Sequence, residues 1–105
     1  MSGTIQVTPT SRWSAAGWLF DWTVEFLASR VRDPKVSAGL REVVSENLGW
    51  VGLDHYGPDT RDELVALIRR DLVSHAEREL PGSVPNRPAA LALLRELAEL
   101  TPAAE

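Results

Sequence analysis

Cysteine is absent from this 105-residue chain. That excludes a disulfide framework, a thiolate zinc site and a cysteine nucleophile, and it suits a reducing compartment such as the cytoplasm. Lysine is nearly absent as well: Lys35 stands alone beside ten arginines. There is no dense basic run and the net charge is −4. Nucleic acid is therefore not an expected partner, because neutralising phosphates supplies most of that affinity. No stretch of about 18 uncharged apolar residues occurs, so no membrane span is expected. The segment from Met1 to Pro9 lacks the basic start and apolar run of a secretory signal. No repeat recurs at a fixed period.

Catalytic and cofactor signatures are missing too. His55 and His75 lie far apart, with no HExxH pattern and no calcium loop, so no metal is expected. Gly49, Gly52 and Gly57 do not have the spacing of a phosphate-binding loop and no lysine follows them, so no nucleotide or other cofactor is expected. The stretch from Leu48 to Leu72, with its acidic helices and LG…LD pattern, loosely resembles acyl carrier proteins. In that family a serine after the aspartate carries the phosphopantetheine; here His55 follows Asp54, which removes the attachment point.

What remains is a composition close to that of an ordinary globular domain, 44% apolar and 25% charged. The length suits one core. Heavy use of Ala, Leu, Val, Glu and Arg fits a GC-rich bacterial genome. Four tryptophans, Trp13, Trp18, Trp22 and Trp50, are the largest candidates for that core.

The apolar spacing predicts an all-α fold: a small four-helix bundle or an irregular helical array with a short extended N-terminal arm. Residues 1–12 form the arm, an extended stretch or at best a short edge strand, since Thr4 to Val7 alternate only weakly and Pro9 follows. Helix one is expected over 14–32, ended by Asp33-Pro34. Successive residues at about 100° steps place Trp18, Leu19, Trp22 and Phe26 together, and further apolar residues extend the arc. A helix so apolar should be central, or covered by another chain. Helix two is expected over 34–48, with Val36, Leu40, Val43, Val44 and Leu48 inward and Gly49 as its stop. Helix three is expected over 60–80, opened by a Thr60–Glu63 capping box, with Leu64, Ile68, Leu72 and Ala76 as its stripe. Helix four is expected over 87–100, capped by Asn86. Residues 101–105 should fray.

Three groups of residues exceed what a core requires. The glycine-rich segment from 49 to 59 holds Trp50, Asp54, His55 and Tyr56, side chains that recognise partners when set on a loop. For Trp50 burial is the expectation. Asp21 and Glu25 lie on the polar strip of helix one and repel at this spacing, an acidic edge for a basic partner. Asp71 and His75, four apart on helix three, could pair as a carboxylate and a general base; beside Trp18 and Trp22 they could line a small-molecule pocket. With no nucleophile to complete a catalytic set, the leading reading is a non-enzymatic protein-binding module, such as an immunity- or antitoxin-type inhibitor or an accessory subunit. The runner-up is a small-molecule site or minor enzyme at Trp18, Trp22, Asp71 and His75. The third is a homodimer that covers the spare face of helix one.

Overall fold

The computed structural model describes residues 2–101. It overturns the all-α expectation: the chain is mainly helical but is organised on a three-stranded mixed sheet. The segment expected as an extended arm, or at best a short edge strand, is the central strand of the sheet, β1 (Ser2–Thr8). Gly3, Ile5 and Val7 point inward, while Thr4, Gln6 and Thr8 keep some exposure, the two-residue period of a strand with one wet face. Pro9 ends no arm; with Thr10 it makes the turn of a hairpin into β2 (Ser11–Ala16). β1 and β2 pair antiparallel, with Ile5 opposite Trp13 and Thr4 opposite Ser14. A third strand, β3 (Trp50–Gly52), pairs parallel to the other side of β1, so the order is β2-β1-β3.

The sequence SRWSAA has little strand propensity. Tertiary contacts hold it as one. Trp13 is buried, and its Nε1–H donates to the Leu93 carbonyl at 2.8 Å. This satisfies the indole donor and ties the sheet to the last helix. The consequence is that residues 14–16 belong to β2, and the first helix, α1, runs Gly17–Arg30.

α1 lies on the inner face of the sheet. Phe20 sits directly over Gly3, where any Cβ would collide with its ring and its own Cβ. Leu19, Phe20, Val24, Phe26, Leu27 and Ala28 are buried, so α1 is largely central as its composition suggested. Thr23 is buried too and directs its hydroxyl to the Leu19 carbonyl at 2.8 Å. Yet Trp18 remains 37% exposed and Trp22 only partly buried.

α2 spans Pro34–Ser45, capped by the Asp33 carboxylate on the Lys35 amide at 2.8 Å. It ends three residues earlier than expected. Asn47 takes a left-handed φ of 54°, its amide bonds the Val44 carbonyl and the Leu48 amide bonds the Val43 carbonyl. That is a Schellman stop with Asn47 at the left-handed position, so Leu48 falls outside the helix. Gly49, also at positive φ, then swings the chain into β3.

The expected Thr60–Glu63 capping box is absent. Pro58 opens α3 (Pro58–Leu67) with Gly57 as N-cap, because proline's fixed φ and missing N–H suit the first turn. Glu63 instead accepts from the Arg32 amide at 2.9 Å. α3 passes through a π segment (Ile68–Leu72) into α4 (Val73–Glu79) with helical dihedrals throughout. The reason lies in the sequence. Leu64, Ile68, Leu72, Ala76 and Leu80 are all buried at strict four-residue spacing. In a straight α-helix each such step drifts about 40°. The π turn underwinds the rod and keeps the stripe on the core. α5 (Arg87–Leu100) is capped as expected by Asn86, which accepts from the Ala89 amide. Thr101 is buried rather than frayed; residues 102–105 of the expected tail lie outside the described residues.

Two glycines give opposite expectations. Gly3→Ala should destabilise by about 1–3 kcal/mol, because Phe20 must shift in a packed core. Gly39→Ala, in the interior of α2 with open space around it, should stabilise by about 0.5–1 kcal/mol. Urea unfolding of the two variants measures both.

Candidate functional site

The face of α1 that turns away from the sheet carries Trp18, Trp22, Glu25 and Ser29 within about 60° of arc. Trp22 packs along the helix on Phe26, ring centroids 6.5 Å apart. The π turn delivers His75 from α4 onto both rings, 5.6 Å from Trp22 and 5.0 Å from Phe26. Arg30 lies over the Phe26 ring at 5.1 Å and places Nη2 3.2 Å from His75 Nδ1. Since a guanidinium can only donate, this contact needs an unprotonated Nδ1. Burial lowers the His75 pKa below the usual 6.5, and the positive charges of Arg30 and Arg78 push it the same way, against the opposing pull of Glu79.

Sequence spacing had paired His75 with Asp71. The structure gives His75 to Arg30, and leaves Asp71 exposed on the π segment. No carboxylate–imidazole base is assembled there. The rings of Trp22, Phe26 and His75 lie against one another. An open groove of about 630 Å³ exists elsewhere, between the α1–α2 corner and α3. Of the four residues of the expected pocket, it takes only Asp71. Three arginines and five acidic residues line it, with no aromatic wall.

The segment after α2 is built differently. Trp50 is 42% exposed, not buried. Its ring meets His55 edge-on at 5.1 Å, and both rest over Gly52, where a Cβ would strike them. Val51 points the other way, into the core. Asp54 sits on a 3₁₀ turn (Leu53–His55), with Oδ1 buried and lacking a hydrogen-bond partner among the described residues. Tyr56 is half-buried, and burial raises its phenol pKa above 10.0.

The acidic edge of α1 is half neutralised. Glu25 accepts from Arg41 of α2 at 3.1 Å in an exposed ion pair, and Asp21 is partly buried beside it in the helix. Such pairs contribute up to about 1 kcal/mol. Among the described residues no group of three or more His, Cys, Asp or Glu is placed to hold a metal, and no helix is long and apolar enough to cross a membrane.

Among the described residues three large apolar side chains stay exposed: Trp18 at 37%, Leu48 at 59% and Trp50 at 42%. The sheet brings their backbones to one end but not their side chains to one face: Trp18 lies on the side of α1 away from the sheet, and Trp50 on the outer side of the sheet, opposite in sense to Val51. Ala16 pairs with Ser2, Trp50 pairs with Thr4, and the Thr4 amide bonds the Gly49 carbonyl at 2.9 Å. Trp18 therefore leaves the end of β2, and Leu48 enters β3, at the same end of the sheet. Neighbouring strands are about 4.8 Å apart, so these exits sit roughly 10 Å apart across β1. Leu48 was missed because its spacing continued the α2 stripe. The signal against that was Asn47, a residue that adopts the left-handed conformation readily.

Comparison of the chain with protein-family models, with curated proteins and with solved structures finds no match in any of the three.

The His75 contacts give a pH prediction. A lowered pKa means that folding favours the neutral ring. The stability it contributes is complete above pH 6.5 and declines as pH falls from there toward the lower folded value. Removing the neighbouring charge with Arg30→Gln should raise the His75 pKa toward 6.5. An NMR titration of the imidazole checks this, and an unchanged pKa in the variant would refute the Arg30 contact.

Proposed function

We propose that the chain is a non-enzymatic protein-binding module that docks through the segment bearing Leu48 and Trp50, where the chain enters β3. One observation carries this reading: Leu48 and Trp50, two residues apart, are both large, apolar and exposed. A lone surface leucine needs no explanation, but an exposed tryptophan close to an exposed leucine has the make-up of a binding hot spot. Leu48 adds to the argument. The residue after a Schellman stop usually packs back on its helix, whereas this one is more than half exposed. His55 buttresses Trp50 edge-on and limits its freedom, which lowers the entropy lost on docking.

An immunity- or antitoxin-type inhibitor, or an accessory subunit, is the kind of module this describes. A chain without cysteine suits work in a reducing bacterial cytoplasm. Of the other residues expected at an interface, Asp21 and Glu25 belong to α1, with Glu25 paired to Arg41, and Asp54 and Tyr56 are partly buried.

A partner cross-linked to the protein in its host supplies the test. Trp50→Ala combined with Leu48→Ser should weaken that complex roughly 30-fold, as loss of a hot spot of about 2 kcal/mol does. The thermal midpoint should hardly move, since exposed substitutions usually change stability by under about 0.5 kcal/mol. A partner held equally well by the double variant would place the interface elsewhere.

A further inference from the structure

The surface proposed above has an electrostatic border that selects among occupants. α2 ends immediately before Leu48, and its last turn carries no basic residue. A helix C-terminus is the negative end of the backbone dipole, where cations stabilise and anions do not. Here Glu42 and Glu46 occupy it, four residues apart and both exposed. Like charges at that spacing repel. Arg41, adjacent to Glu42, is committed to Glu25. Among the described residues the ion pairs are Arg32–Glu63, Arg41–Glu25 and Arg95–Glu77, and none of these residues gives Glu42 or Glu46 a cation. The helix end thus concentrates negative potential beside Leu48 and Trp50, at a cost to the free protein that a positively charged partner would relieve.

From this charge arrangement we infer that the Leu48–Trp50 surface takes a cationic amphipathic segment of another protein, one that sets apolar side chains on the patch and arginine or lysine against Glu42 and Glu46. The inference rests on the docking role proposed above. A second copy of the chain fits poorly. An isologous contact would bring two acidic helix ends together, on chains that each carry a net charge of −4. Nucleic acid and anionic lipid are opposed by the same sign. The exposed indole of Trp50 adds a second attraction for a guanidinium.

Two synthetic helical peptides test this on the intact chain, one with leucine on one face and lysine on the other, its twin with glutamate in place of lysine. Backbone amide shifts and tryptophan fluorescence report where each binds. The leucine–lysine peptide should shift the amides of residues 48–50. Its affinity should fall roughly tenfold in high salt, and several-fold in Glu42→Gln/Glu46→Gln, because the attraction is screened or removed. The leucine–glutamate peptide should bind far more weakly. If the glutamate peptide binds residues 48–50 as well as its twin, the charge preference is overturned and the docking surface survives. If the lysine peptide binds with those amides silent, for instance in the acidic groove beside α3, the surface itself is overturned. If neither peptide binds, the cationic-segment inference is overturned.

Discussion

β1 is hydrogen-bonded along both edges, and the rest of the molecule is arranged around that fact. Its inward residues set the core: Ile5 and Val7 are buried, and Gly3 leaves the gap into which Phe20 of α1 descends. Its outward edge toward β3 determines where the chain emerges after α2. Without the parallel pairing of Thr4 with Trp50, nothing would hold Leu48 and Trp50 near the start of α1. The candidate interface is thus a consequence of strand order more than of any one loop.

The helical layer answers to the same sheet. The indole N–H of Trp13 reaches the Leu93 carbonyl, so α5 is fastened across a sequence separation of 80 residues. The rod from α3 to α4 presents an unbroken four-residue apolar period to this core, and the π segment is how a helix accommodates that period. The same unwinding sets His75 on Trp22 and Phe26. A polar cluster that resembles a catalytic pair in the sequence becomes a packed contact with Arg30 in the fold.

Legibility in the sequence followed the range of the interactions. Local signals were readable. Asn86 as a cap, Asp33-Pro34 as a boundary, the Leu64–Ala76 stripe and the aromatic density from Trp50 to Tyr56 all rest on neighbours within a few residues. β1 was half legible, since Thr4 to Val7 alternate, but Pro9 suggested an arm's end instead of a hairpin turn. β2 was not legible: Trp13 is the one strand-favouring residue in SRWSAA, and its conformation depends on Leu93. β3 was hidden because three residues paired in parallel with a strand over forty positions away leave no local periodicity. The site divided the same way. Trp50 and His55 stood out by type, whereas Leu48 needed knowledge that Asn47, not Gly49, stops α2.

Hydrogen exchange in the native state tests the central role of β1 most directly. If the strand is the shared spine of sheet and core, the amides of its middle residues, Thr4 to Gln6, exchange only through global unfolding and rank with those of Leu27 and Leu72 as the slowest in the chain. Exchange of those strand amides at the rate of exposed turn positions such as Thr10 or Ser83 would show that the segment is a loose arm after all, and would remove the basis for the placement of Leu48 and Trp50.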